Sequence, residues 1–320
     1  MKKRLDVCFV GLGSIGRRHL KNLAAAAEAR GLDLHVVALR HANSPLPEDV
    51  AGLVDDQCLS VDGLPHVDLA FICNPSQQHL GTLRELEGKA DRFFVEKPVF
   101  TAPLPESELG CLADERRYYV ACPLRHTRVF SALADFVSQN SVFAVRSICS
   151  SYLPEWRPGA DYRKLYCATA ESGGVKLDLV HDFDYLFSIF GIPEDFASRE
   201  GKFSDLEVAG PDSVAFMARY DRTLVELHLD YFGRVPQRYS EVYTKDDTVR
   251  FDFIDASVSW LKSGKRLSFA DARNDFQMRE IEQFLDFALL GGENVNSIPF
   301  ANKVISIAAG GMSAPRQRQV

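Results

Sequence analysis

The chain has 320 residues, 46% of them hydrophobic and 25% charged, with 44 acidic against 37 basic residues and a formal net charge of −7. That length exceeds what one hydrophobic core usually supports and predicts two domains. The acidic balance excludes a nucleic-acid partner, which calls for a basic face. The seven cysteines, at positions 8, 58, 73, 111, 122, 149 and 167, are odd in number and form no CxxC pair. Several lie inside apolar runs, the usage of reduced core thiols in a cytosolic protein rather than of a disulfide framework or zinc site. The opening Met1-Lys2-Lys3-Arg4 has the outline of a secretory signal, but the apolar run after it is broken by Asp6 and stops at Gly11. A signal needs about 7–15 apolar residues and a membrane span about 18 or more. A cytoplasmic protein with no membrane contact is therefore expected.

The first 120 or so residues alternate short apolar runs with helical patterns. Strands are predicted at Leu5–Val10, Leu34–Leu39, Val67–Cys73, Arg92–Val95 and Tyr118–Cys122, and helices at Ser14–Ala29, Gln77–Glu87 and Pro105–Glu115. The alternation implies βαβ units, and the nearly all-apolar strands imply a parallel sheet covered on both faces. After residue 123 the rhythm changes. A helix at Phe130–Gln139 leads to a strand at Phe143–Tyr152, then a loop rich in Pro, Gly and aromatics at Leu153–Gly174, then a helix at Val175–Phe190. Consecutive strands follow at Ser213–Tyr220, Leu224–Phe232, Ser240–Thr244, Thr248–Asp252 and Ser257–Leu261, which predicts an α+β domain with a mostly antiparallel sheet. Helices at Asp275–Leu290 and Phe300–Ala309 close the chain, and the tail Ser313–Val320 is expected to fray. The expected boundary is 1–122 for an α/β Rossmann domain and 123–320 for the α+β domain, with the helix near 300–310 packing back on the first.

Gly11-Leu12-Gly13-Ser14-Ile15-Gly16 is a GxGxxG that directly follows a predicted strand and opens a predicted helix carrying His19, Leu20, Leu23 and Ala27 at helical spacing. In that setting Gly11 permits the tight turn, Gly13 lets backbone approach a pyrophosphate, and Gly16 lets helix pack on strand. Ser14 and Ile15 contribute N–H groups at the helix's positive end. The competing reading is a glycine-rich turn without a ligand. An acid at the end of the second strand would hold the ribose 2′-hydroxyl of NAD. Here Arg40 and His41 precede Ala42-Asn43-Ser44 with no acid, so a 2′-phosphate and NADP are favoured, NAD remaining open and a solvated Arg40 being the alternative.

Two further segments stand at predicted strand ends, where an open α/β sheet binds its ligand. One is Cys73-Asn74-Pro75-Ser76-Gln77-Gln78-His79, the other Glu96-Lys97-Pro98. On the helix that starts at Val175, Leu179, Phe183, Leu186 and Phe190 form an apolar stripe, and Asp178, His181, Asp182 and Tyr185 a polar one. Such a polar stripe is also what the wet face of an amphipathic helix looks like.

Taken in order and spacing, Gly-Leu-Gly-Ser-Ile-Gly, Cys-Asn-Pro-Ser-Gln-Gln-His, Glu-Lys-Pro and Gly173-Gly174 with Asp178 and His181 resemble the Gfo/Idh/MocA family of glucose–fructose oxidoreductase, inositol dehydrogenase and the rhizopine catabolism protein. The resemblance runs over essentially the whole chain. It implies a Rossmann domain plus a domain with a large open antiparallel sheet, which often joins subunits into a homodimer or homotetramer. It implies hydride transfer between a nicotinamide cofactor and a carbinol carbon of a sugar, inositol or nucleotide sugar. It places Asn74, Pro75, His79, Glu96 and Lys97 at the cofactor, makes Lys97 and His181 catalytic beside the nicotinamide, and gives Asp178 a supporting role. The family often spaces that Asp four residues before the His, where this chain has Leu177. The family's Asn-x-Arg maps to Pro123-Leu124-Arg125, which keeps Arg125, expected at the substrate, and loses the amide. The loop with Trp156, Tyr162 and Arg163 resembles members of nucleotide-sugar and surface-polysaccharide pathways, and these residues are expected at the substrate. Two rival functions are a non-catalytic NADP-binding sensor or scaffold, which would lack Lys97 and His181, and a dehydrogenase of amino-acid or imine substrates.

Overall fold

Short apolar runs closed by glycine turns and linked by amphipathic helices set the order of the first half. In the computed structural model, which describes residues 3–42, 45–169 and 174–310, the chain runs β1 (Lys3–Val10), α1 (Ser14–Ala29), β2 (Leu32–Leu39), β3 (Asp56–Cys58), β4 (Val67–Ile72), α2 (Ser76–Glu85), β5 (Ala90–Val95), α3 (Glu106–Leu109) and β6 (Tyr118–Val120). It continues through α4 (Arg128–Gln139), β7 (Val142–Tyr152), α5 (Val175–Asp178), α6 (Val180–Phe190), β8 (Asp195–Gly201), β9 (Ser213–Tyr220) and β10 (Thr223–Asp230). It ends with β11 (Phe232–Thr244), β12 (Thr248–Asp252), β13 (Ser257–Trp260), β14 (Arg266–Ser268), α7 (Arg273–Leu290) and α8 (Ile298–Ala308). Asn43, Ser44, Gly173 and the tail Ser313–Val320, each used above, lie outside the described residues.

The chain divides into two units, one of residues 1–100, 104–123 and 273–302, the other of 101–103, 124–272 and 303–320. The first holds a parallel six-stranded sheet in the order β3-β2-β1-β4-β5-β6. Phe9, Phe71 and Phe94 stack across β1, β4 and β5, and Phe284 of α7 meets Phe71 and Phe94 edge-on. α7 is thus a core element of this unit, together with Ile281, Leu285 and Phe287. The chain passes between units at 123/124, one residue from the expected 122/123, and residues 273–302, expected in the second domain, return to the first sheet. Asn302 of α8 bonds the backbone of Leu104 in both directions.

The second unit holds an eight-stranded sheet in the order β14-β13-β12-β11-β7-β10-β9-β8. Every pairing is antiparallel except β10 with β7. Its core is aromatic, with Phe183 and Phe187 of α6 against Phe216 of β9.

Three expectations differ. The helix expected over Pro105–Glu115 stops after one turn, because Gly110 takes φ +52 and the chain continues as a 3-10 turn. The helix expected over Val175–Phe190 breaks at Leu179, whose φ −96 and ψ +27 separate α5 from α6. β3, β8 and β14 were not individually predicted; all three are short or edge strands with mostly exposed or half-buried residues, and so carry no apolar run. Among the described residues no helix is long and apolar enough to cross a membrane.

Candidate functional site

In the first unit the carboxyl ends of β1, β4 and β5 bring three motifs side by side. Cys73 N–H donates to the Val10 carbonyl at 2.8 Å and Glu96 N–H to the Ile72 carbonyl at 2.9 Å, so the chain leaves all three strands at one level. Gly11 has φ +92, and a Cβ there would lie 2.7 Å from backbone atoms of Cys73 and Asn74. A Cβ on Gly16 would overlap the Gly11 carbonyl oxygen. Gly13 is different: exposed, with nothing within 4 Å of an added Cβ. Two glycines therefore close the turn and the third opens a cradle. α1 starts there with no side-chain cap and no acid in its first turn, so Ser14 and Ile15 stand at an uncompensated positive helix end.

Asn74 is buried, and its amide N–H₂ group donates to Thr82 Oγ1 at 2.8 Å and Gln78 Oε1 at 3.3 Å. Its Oδ1 is buried and has no partner. Buried acceptors are rarely left empty, and one beside an open glycine cradle fits a ligand that brings a hydroxyl or amide donor. The residues present therefore fit a dinucleotide. Pro75 sets the start of α2. His79 is corrected: it is 1% exposed, with Nε2 at 2.9 Å from the Asn74 carbonyl and Nδ1 at 3.2 Å from the Val99 carbonyl. Burial pushes its pKa down and the two carbonyls oppose that shift, and a ring wedged between two backbone carbonyls braces Asn74 instead of facing an open surface.

Glu96 is buried with both oxygens in use. Oε1 lies 2.5 Å from His19 Nε2, and Oε2 accepts the Lys97 N–H at 3.1 Å. Burial alone would raise this carboxyl's pKa, but the hydrogen bond from His19 and the charge of Lys97 hold it below its ordinary value. Lys97 itself is half-buried. His19 was read from the sequence only as part of a helix face; its partner is 77 residues away. At the end of β2, Arg40 donates to Gln57 Oε1 at 2.9 Å and His41 is exposed.

In the second unit the polar stripe of the α5–α6 segment is not a wet face. The Tyr231 hydroxyl donates to Asp178 Oδ2 at 3.2 Å. Asp182, fully buried, accepts from Arg238 Nη2 at 3.1 Å, while Arg238 Nε approaches Cys149 Sγ at 3.2 Å. Tyr185 is fully buried with its hydroxyl 3.0 Å from Ser240 Oγ. Burial and the Asp178 charge push the Tyr231 phenol's pKa up, which keeps it a donor. His181, at the start of α6, is half-buried and directly precedes Asp182. Sequence reasoning missed Tyr231 and Arg238 altogether, since a tyrosine or arginine in a strand carries no motif.

Four residues expected at the substrate have protein partners of their own. Arg125 is committed to Asp184, with Nε at 2.7 Å and Nη2 at 2.8 Å from its carboxylate, and both side chains are at least nine-tenths buried. It acts as an internal strut. Arg163 bonds Asp161 and Glu207, and the Tyr162 hydroxyl accepts the Glu207 N–H at 3.0 Å, so both brace a loop. Trp156 packs edge-on against Tyr231 with ring centres 5.5 Å apart, and its indole N–H donates to Ser151. Of the three loop residues, Trp156 is the one joined to Asp178 through a shared neighbour.

A six-stranded parallel sheet with a glycine turn at its carboxyl end, followed by an open, mostly antiparallel eight-stranded sheet, is a two-domain fold shared with dehydrogenases of known structure. No protein-family profile matches the chain, and no curated protein sequence does. Solved structures match along nearly the whole length. A levoglucosan dehydrogenase in complex with NADH and levoglucosan superposes with a TM-score of 0.80 at 15% identity, covering 96% of each chain. A UDP-N-acetylglucosamine 3-dehydrogenase from Acidithiobacillus ferrooxidans gives 0.73 at 18% identity over 95% of each chain. A myo-inositol 2-dehydrogenase from Lactobacillus plantarum gives 0.74 at 18%, covering 96% of this chain and 95% of that one.

Proposed function

We propose that the chain is a nicotinamide-dependent oxidoreductase of sugar-like alcohols, a sugar, an inositol or a nucleotide sugar. The observation that carries this reading is the glycine cradle set beside the empty acceptor of Asn74 and the buried Glu96 next to Lys97. The fold it shares with dehydrogenases of levoglucosan, inositol and a UDP-sugar supports the substrate class. A bound nicotinamide would accept or return the hydride of the carbinol carbon. Gly11, Gly13, Ser14, Ile15 and Gly16 would hold the pyrophosphate, and Asn74 Oδ1 would take a donor. His181 would take the hydroxyl proton, an imidazole's ordinary pKa of about 6.5 suiting this. Lys97 would stabilise the developing alkoxide as a fixed cation. Asp178, steadied by Tyr231, would bind a neighbouring hydroxyl or orient His181. The test is turnover of a panel of sugars, inositols and nucleotide sugars followed by cofactor absorbance. Oxidation or reduction of one class supports the reading; cofactor binding without turnover of any of them favours a sensor.

The cofactor is proposed to be NADP(H), because Arg40 follows β2 where an acid would hold the NAD ribose. Fluorescence titration should show NADPH bound more tightly than NADH. Arg40→Asp should weaken NADPH by about tenfold or more, the scale of one charge-assisted contact. Tighter NADH binding by the unmodified protein overturns this choice. For assembly we propose a homodimer or homotetramer through the outer face of the large sheet, where Arg146, Met217 and Arg219 are exposed. Light scattering decides it.

A further inference from the structure

We propose that Glu96, held by His19, is the positioning residue for Lys97, so that the helix following the glycine turn and the lysine turn work as one clamp. The proposal rests on the dehydrogenase reading and adds to it a residue pair with a defined task. A carboxylate only accepts hydrogen bonds, and Glu96 accepts two that pull on different elements: His19 of α1 and the backbone N–H of Lys97. His19 is 1% exposed, with the Phe94 ring edge-on at 4.8 Å. Its Nδ1 is buried without a partner. A proton there would be a buried donor with no acceptor, so the proton belongs on Nε2 and points at Glu96.

The tie needs two acceptor oxygens, one for His19 Nε2–H and one for the Lys97 N–H, which a carboxylate supplies and a neutral amide does not. Burying a carboxylate is costly unless its surroundings compensate it. The chain accepts that cost and keeps an anion at the junction of the three strand ends, next to Lys97. An anion in the residue before Lys97 favours one placement of its ammonium without competing for substrate, provided its own position is locked. His19 is the lock.

The test uses the full chain with Glu96→Gln, His19→Leu and His19→Gln. Glu96→Gln keeps the shape and an acceptor but removes the charge; His19→Gln keeps a donor at the reach of Nε2; His19→Leu removes it. Glu96→Gln and His19→Leu should each lower kcat by about tenfold or more, with KM and NAD(P)H affinity within about threefold, while His19→Gln recovers most of the loss. A second arm needs no substrate: labelling of Lys97 by an amine-directed reagent at fixed pH, read by mass spectrometry, should be several-fold faster in Glu96→Gln than in the unmodified protein. If Glu96→Gln does not fold, Glu96→Asp, one carbon too short to hold both partners, gives the same two readouts. Unchanged kcat and unchanged labelling overturn the clamp, as does a loss that His19→Gln fails to recover. If the unmodified protein turns over nothing, the dehydrogenase reading falls, and the labelling arm alone still decides whether Glu96 governs Lys97.

Discussion

Lys97→Ala should lower turnover by about 10³-fold, the scale of removing a preorganised group that stabilises transition-state charge. NAD(P)H affinity, measured by fluorescence titration, should stay within a few-fold. The separation follows from the layout of the first unit. The pyrophosphate cradle is backbone at Gly13 and the start of α1, and Asn74 is held by Thr82 and Gln78. Neither depends on the lysine side chain. Glu96 takes the backbone N–H of residue 97, which alanine keeps, so the turn should survive and thermal stability should change little. Lys97→Arg is a sharper probe, because it keeps the charge but spreads it over a planar fork. If the charge alone sufficed, arginine would restore most activity; if an ammonium must sit at one point, it restores little. Turnover by Lys97→Ala within tenfold of the unmodified protein would remove the lysine from the mechanism.

What the sequence revealed follows the range of the interactions involved. The glycine turn was legible because its demands are local: Gly11 needs φ +92, Gly16 needs room for the Gly11 carbonyl, and a strand must precede them. The parallel sheet was legible because both its faces are covered and its strands are continuous apolar runs. The α7 stripe was visible as a helix, but not the sheet to which it returns. The partners of charged groups were not legible. His19 and Glu96 are 77 positions apart, and Asp182 and Arg238 are 56 apart. Without Arg238 in view, a polar stripe of Asp178, His181, Asp182 and Tyr185 reads equally well as a solvated face, and the structure shows Asp182 and Tyr185 fully buried. The same blindness assigned Arg125 and His79 to ligands. Arg125 meets Asp184 and His79 meets two backbone carbonyls, so both serve the protein's own polar groups. Arginine and histidine are the residues most often recruited for either task, and only tertiary contacts separate the two.

His181→Ala should slow turnover by about 10²–10⁴-fold, the usual worth of a general acid–base group, and should remove the ionisation that His181 contributes to the pH profile of kcat/KM. The loss should be confined to chemistry, because α6 does not depend on His181 for its place. Phe183 and Phe187 pack on Phe216, Asp182 is tied to Arg238 and Asp184 to Arg125. The turn that follows His181 is anchored without it, and alanine, the best helix former, leaves the backbone undisturbed. Asp178 sits one break away, at the end of α5, with Tyr231 on its carboxylate. Asp178→Asn should therefore cost less than His181→Ala, since the amide oxygen can still accept from Tyr231. Tyr231→Phe, which removes the phenol donor from the carboxylate while keeping the ring against Trp156, should move KM for the substrate more than kcat. Together the three variants divide the work. If His181→Ala retains turnover within about fivefold and keeps the same pH profile, proton transfer runs through another group, and Asp178 with Tyr231 becomes the pair to examine.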